Sequence, residues 1–142
     1  EVYLENNIRF RAIGDLSKFS KSLQNRILKT QELTSSCNGL TQVLALNYGS
    51  KDEIIRAIKK LNEKGLEVSE KNLESCLDTA GISPVDIMIR TSGEVRLSNY
   101  LLWQNAYAEM FFVQTYWPDF TKTELDDIIS DFSRRERRFG AV

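Results

Sequence analysis

A chain of 142 residues with 19 basic and 20 acidic side chains carries a net charge of −1, so no global basic field argues for a nucleic-acid partner and anion recognition must come from local clusters. Its 42% hydrophobic and 27% charged residues suit one soluble domain, or a piece of a larger one, able to bury a core without staples. The absence of histidine excludes Ser-His and Cys-His nucleophile schemes and removes the commonest metal ligand.

Cys37 and Cys76 stand far apart in polar surroundings, which fits neither a disulfide framework nor a zinc site and makes a reducing cytosol the default. No apolar run approaches the roughly 18 residues that span a bilayer. The start, Glu1-Val2-Tyr3-Leu4-Glu5, is no signal peptide and has no initiator Met, so a fragment or processed chain is expected.

Ile8 to Ile13 alternates apolar residues with Arg9 and Arg11 before Gly14-Asp15, which predicts a strand and a turn. Ser17 to Leu33 has Phe19, Leu23, Ile27 and Leu28 at helical spacing, with Ser17 as the N-cap. Val43-Leu44-Ala45-Leu46 reads as a strand buried on both faces, ahead of Asn47-Tyr48-Gly49-Ser50. Lys51 to Lys64 predicts a helix with Ile54, Ile55, Ile58 and Leu61 on its inner stripe, stopped by Gly65. Ser69 to Thr79 predicts another, with Leu73, Cys76 and Leu77 inward. Val85 to Ile89 is a further buried strand ending at Arg90; Asn99 to Glu109 an apolar helix; Met110 to Gln114 a short strand closed by Trp117-Pro118. Thr121 to Arg138 is amphipathic through Leu125, Ile128, Ile129 and Phe132, with Gly140 beyond it. Strands alternating with helices predict a single α/β domain with a mostly parallel sheet flanked by helices. Ligands of such sheets bind beyond the carboxyl ends of the strands, which points to the loops 47–50 and 90–98.

The second loop carries the chemistry. Arg90 and Arg96 supply two guanidinium forks, Thr91 and Ser92 hydroxyls, Gly93 room for close backbone approach, and Ser98 an N-cap at a helix N-terminus. Such a set matches a phosphate or diphosphate; the alternative is that the arginines form structural salt bridges and Ser98 only caps a helix. Glu94 either neutralises the arginines or stands near a diphosphate-bound Mg²⁺. Glu109 is either a solvated helix end or a magnesium ligand at a subunit contact. Arg134-Arg135-Glu136-Arg137-Arg138 suits a helix C-terminus, yet four arginines exceed what capping needs and can close over an anion in a neighbouring subunit. Leu101, Trp103, Tyr107, Phe111 and Phe112 form either core or a dimer face.

These residues give the chain a family likeness. Ile13-Gly14-Asp15-Leu16, Leu46-Asn47-Tyr48-Gly49-Ser50, Asp86 to Glu94, Arg96-Leu97-Ser98-Asn99, Leu101-Leu102-Trp103-Gln104, Ala106-Tyr107-Ala108-Glu109, Trp117-Pro118-Asp119-Phe120 and Arg134 to Gly140 resemble the cis-prenyltransferases, the family of undecaprenyl diphosphate synthase. The resemblance implies a homodimeric α/β enzyme that condenses isopentenyl diphosphate onto an allylic diphosphate such as farnesyl diphosphate, adding cis units to a membrane lipid precursor. It implies that Arg90, Arg96, Leu97 and Ser98 bind the isopentenyl diphosphate head group with Glu94 in support, that Glu109 binds Mg²⁺, and that Arg138 and Gly140 reach the partner's active site. A cytoplasmic protein, peripheral at the inner face of the membrane, with no nucleic-acid partner, is implied as well. The family's Asp-Gly-Asn-Gly-Arg-Trp and Phe-Ser-x-Glu-Asn-Trp segments have no counterpart here, and Val95 stands where relatives often carry a polar residue. Residues 1–142 are therefore expected to be the C-terminal part of one such domain, inactive alone. The competing class is a non-catalytic accessory subunit, which is expected to lose the head-group residues; a generic phosphate- or nucleotide-binding module lacks its glycine-rich fingerprint here.

Overall fold

A computed structural model describes residues 1–138, which fall into two compact units, Glu1–Ile82 and a second beginning at Ser83. Each is built on a two-stranded parallel sheet, so the predicted α/β class with parallel pairing is observed.

In the first unit, α1 (Val2–Glu5) precedes β1 (Arg9–Ile13), which pairs with β2 (Thr41–Ala45) in the register Arg9↔Thr41 to Ile13↔Ala45. The two are linked through α2 (Lys21–Leu33), whose side chains cover the free edge of β1. Thr34 Oγ1, just past the end of α2, accepts the Phe10 N–H at 3.1 Å, and Gln31 Oε1 accepts the Ala12 N–H at 2.7 Å. An open strand edge thus has its donors satisfied without another strand. Ser17 is not the helix cap: it lies in a 3₁₀ turn, Leu16–Lys18, capped by Asp15, and α2 starts later under Ser20. Phe19 and Ser20 have extended backbones, which separates the two pieces. β2 is not buried on both faces; Thr41, Gln42 and Leu44 are exposed.

The helix α3 (Ser50–Glu63) runs as the periodicity predicts, but its buried stripe is Ser50, Glu53, Ala57 and Leu61, while Ile55 and Ile58 lie exposed. A carboxylate wins the inner face because it is fully satisfied. Glu53, 0% exposed, accepts the Asp78 N–H at 2.8 Å through one oxygen and the Tyr48 hydroxyl through the other. Burial and the Glu53 carboxylate push the Tyr48 phenol well above its ordinary value. The helix predicted from Ser69 is shorter, α4 (Glu70–Glu74), and gives way to turns that place Asp78 at the centre of a network. Arg56 donates to both Asp78 oxygens at 2.8 and 2.7 Å, the Gly14 N–H donates at 3.0 Å, and Arg11 donates to the Asp78 and Ala80 carbonyls. Gly14 is obligatory here: at φ +103°, an added Cβ would lie 2.2 Å from the Leu46 carbonyl oxygen. Cys37 and Cys76 are buried free thiols in this unit, not residues of polar surroundings.

In the second unit β3 (Ile87–Arg90) pairs with β4 (Glu109–Phe112) from Ile87↔Glu109 to Arg90↔Phe112, with Met88 and Phe111 buried. The helix predicted between them is absent. Residues 98–108 form successive turns, and positive φ at Ser98, Asn99 and Leu101 prevents an α-helix from propagating. Glu109 is accordingly the first residue of a strand. α5 (Lys122–Arg134) opens with a Thr121–Glu124 capping box and buries Ile128. It ends four residues before the predicted limit, because Arg135 is already extended. Among the described residues, no helix is long and apolar enough to cross a membrane.

Burial alone would raise the pKa of Asp78, but the bonds from Arg56 and Gly14 outweigh it and hold the carboxyl below its ordinary value. Its folded value lies below its unfolded one, so the stability it contributes is present above about pH 4 and lost as pH falls through the depressed value. Asp78→Asn is expected to lower the urea midpoint at pH 7 and to make the decline below about pH 4 shallower than in the unsubstituted chain. Equal acid slopes in the two proteins would assign that sensitivity to other carboxylates.

Candidate functional site

The loop after β3 gathers most of the residues singled out from the sequence, though not in the manner expected. Arg90 leaves the strand end and turns back over its own loop, donating through Nη1 to the Arg96 carbonyl and, at 3.1 Å, to Ser98 Oγ. Arg96 forms an ion pair with Glu94, and both side chains remain well exposed. Leu97 is half-buried. Arg90, Glu94, Arg96 and Ser98 therefore form one cluster at the carboxyl end of β3.

Two parts of the sequence argument do not survive. Ser98 caps no helix, so no helix dipole is aimed at this cluster. Gly93 does not free its backbone for a ligand. Ser92 and Gly93 take positive φ so that their N–H groups reach the Thr115 and Val113 carbonyls, extending the β3–β4 pairing. A Cβ on Gly93 would lie 2.5 Å from Gln114 Oε1, so the close approach that the glycine permits is made by Gln114. What remains for an anion is side-chain chemistry: one exposed guanidinium with a displaceable carboxylate, a second guanidinium that fixes the loop, and a hydroxyl.

Glu109 does not join this cluster within the unit. In the parallel register it sits opposite Ile87, three rows from Arg90, on the order of 10 Å along the strands. Its partners come from the arginine run instead. Arg135 Nη1 donates to Glu109 Oε2 at 2.7 Å and Nη2 to Asp131 Oδ2 at 2.9 Å, and the guanidinium lies 4.1 Å from the centroid of the Phe111 ring. The hydrogen bonds that Arg135 donates to Glu109 and Asp131 raise its pKa, so its charge is permanent. Arg137 donates to Asp86 Oδ1 at 2.6 Å and to the Tyr107 carbonyl, and packs over Phe132. Arg138 meets Glu136 at 3.5 Å with both side chains exposed. Gly140 lies outside the described residues. Between the tail and the start of β4 is a cavity of about 320 Å³ lined by Tyr107, Ala108, Glu109, Glu136, Arg137 and Arg138.

Among the described residues, no three Asp, Glu or Cys side chains converge as a ready-made metal cage. Glu109 is a single carboxylate with one oxygen engaged by Arg135, which fits an ion held chiefly by phosphate oxygens and water, as Mg²⁺ commonly is. Sequence reasoning gave Asp86, Asp131 and Arg135 no separate roles. The one available signal was Asp86, a charge set in the apolar strand Val85 to Ile89.

Comparison with known proteins completes the picture. The family described as "Putative undecaprenyl diphosphate synthase" matches residues 1–140. The isoprenyl transferase of Wolinella succinogenes is 62% identical over all of this chain and 62% of its own length; that of Helicobacter pylori is 54% identical over 99% and 63%. The crystal structure of a probable undecaprenyl diphosphate synthase from Campylobacter jejuni superposes with a TM-score of 0.91 at 46% identity, covering 97% of this chain and 65% of that one. Lavandulyl diphosphate synthase from Lavandula x intermedia, solved with dimethylallyl diphosphate, gives 0.85 at 34% identity over 94% and 60%. The chain spans a little under two-thirds of the length of these relatives.

If Arg90 is the strut of the loop, Arg90→Ala should release residues 96–101 while leaving the sheet intact. In hydrogen exchange, the Tyr100 amide, bonded to Leu97, is expected to lose protection by about tenfold, roughly one broken hydrogen bond. The Ser92 and Gly93 amides, bonded to β4's continuation, should keep theirs. Unchanged Tyr100 exchange would show that the turns hold themselves.

Proposed function

The chain belongs to the undecaprenyl diphosphate synthase family of prenyltransferases, and from this premise we propose that its protein condenses isopentenyl diphosphate onto an allylic diphosphate, with these residues supplying the isopentenyl-diphosphate half of the site. The observation that carries the proposal is the cluster at the end of β3, where Arg90 braces the loop that presents Arg96 and Ser98. The diphosphate takes the place of Glu94 on Arg96, and the Ser98 hydroxyl donates beside it. Leu97 closes the underside of the loop. Before the diphosphate binds, Glu94 supports the loop by neutralising Arg96. An accessory subunit has no use for this set, which favours the catalytic class.

The leaving diphosphate needs positive charge, not a nucleophilic side chain, which is compatible with a chain without histidine. A Mg²⁺ held by Glu109 and phosphate oxygens would neutralise charge there when bound. Arg138 and Gly140 would contribute from the second copy of a homodimer, and the farnesyl primer, undecaprenyl product and a cytoplasmic site at the membrane's inner face belong to the same proposal. Residues 1–142 are then the C-terminal part of one prenyltransferase domain.

Two measurements test this. The full-length protein, given labelled isopentenyl diphosphate, farnesyl diphosphate and Mg²⁺, is expected to yield butanol-extractable polyprenyl product, and residues 1–142 alone to yield none. Absence of product from the full-length protein rejects the catalytic reading. In titration of the full-length protein with isopentenyl diphosphate, Arg96→Ala should cost on the order of 1.5–3 kcal/mol, the value of a charge-assisted contact. Unaltered affinity removes Arg96 from the site.

A further inference from the structure

We propose that Arg135 is a positioning residue for Glu109, pinning one carboxylate oxygen so that the other is presented to a divalent cation bound with diphosphate. The inference rests on the reading of Glu109 as a metal-binding carboxylate. It concerns a residue to which the sequence assigned only a share in a basic tail.

Three contacts fix the Arg135 guanidinium. Nη1 donates to Glu109 Oε2, Nη2 to Asp131 Oδ2, and the plane lies over the Phe111 ring. These partners come from the first residue of β4, from α5 and from the buried face of β4, so the fork cannot turn without losing at least one. The Glu109 backbone is fixed in turn, because its N–H donates to the Asp86 carbonyl at 2.9 Å. The side chain of a glutamate keeps its own torsions when its backbone is fixed, the terminal one being the softest, and the Arg135 bond to Oε2 restricts them. Among the described residues Oε1 accepts no hydrogen bond, and Glu109 lines the 320 Å³ cavity.

An arginine beside a metal ligand also repels the metal, so the balance has to be decided. Here the guanidinium is shared between two carboxylates, Glu109 and Asp131, and Asp131 also pairs with Arg134 at 3.5 Å, so the two arginines and two carboxylates are together neutral. The negative charge that draws a dication is then the diphosphate's, and what Arg135 adds is a fixed orientation of the carboxylate. Outer-shell partners of ligating carboxylates act in this way, and their loss commonly weakens metal binding 10- to 100-fold. A lysine cannot substitute, since a point charge cannot bridge both carboxylates in one plane and stack on Phe111.

The test uses the full-length protein and Mn²⁺ as probe, read by electron paramagnetic resonance in saturating isopentenyl diphosphate. Glu109→Gln should weaken Mn²⁺ binding. Arg135→Gln and Arg135→Lys should each weaken it by about 10-fold, and the double variant Glu109→Gln/Arg135→Gln should be no weaker than Glu109→Gln. Should Arg135→Gln fail to fold by circular dichroism, Asp131→Asn, which removes the second anchor and leaves the Glu109 contact, must still weaken binding several-fold. Unchanged or tighter Mn²⁺ binding in the folded Arg135 variants, with Glu109→Gln impaired, overturns the positioning role alone. Undiminished binding in Glu109→Gln overturns the metal-ligand reading and the inference with it.

Discussion

The register of one parallel strand pair decides what the second unit can do. With Arg90 opposite Phe112, Glu109 is forced opposite Ile87, at the other end of the sheet. The arginine loop and the candidate metal carboxylate are therefore two clusters. The sheet gives each its own surroundings. At the carboxyl end, Arg90 braces a loop whose backbone donors are committed to β4. At the amino end, Asp86 and Glu109 present two carboxylates just where α5 returns with Arg135 and Arg137. Had the pairing slipped by one residue, every side chain of β4 would change face, and Arg135 would lose both Glu109 and the Phe111 ring, which share a face two residues apart.

Much of this was legible where periodicity and burial agree. The Ile13 end of β1 follows from alternation, and the span of α3 and the Thr121 start of α5 from 3.6-residue stripes. It failed where a polar side chain was paid for by tertiary partners that no local pattern shows. Ile55 and Ile58 read as the inner face of α3, yet Glu53 occupies it because Tyr48 and the Asp78 amide satisfy both of its oxygens. Residues 99–108 are apolar enough for a helix, yet left-handed residues at Ser98, Asn99 and Leu101 turn the chain there. Their positive φ values have no glycine to announce them. The members of the arginine loop were legible, but the reason was partly wrong: no helix N-terminus contributes, and Gly93 makes room for Gln114.

The arginine run shows how one short segment divides its labour. Four guanidiniums in five residues read as one basic patch, but no two have the same set of neighbours. Arg134 and Arg135 both reach Asp131, and only Arg135 goes on to Glu109 and Phe111. Arg137 is held by Asp86 and a carbonyl. Arg138 is left with the solvent-facing Glu136, a pair worth little at such exposure. The inner arginines thus fix the path of residues 135–137, and Arg138, the outermost described cation, is held only by an exposed pair. Ordering cost is met by contacts within the unit, not by the ligand.

Charge compensation lets a chain of net charge −1 hold two clusters of arginines. Every cationic group in the two clusters that is positioned firmly has a carboxylate or carbonyl partner, so folding does not have to gather unpaired like charges. In the proposed function, a diphosphate would exchange for Glu94 on Arg96 instead of meeting a bare cation, and the gain would be the difference between two ion pairs. The same exchange is not open to Arg135, whose fork is closed by two carboxylates and a ring. Of the ion pairs made by Arg96 and Arg135, the exposed one is open to exchange and the three-point one is not. That difference in geometry, more than the number of arginines, separates the residue proposed to bind from the residue proposed to position.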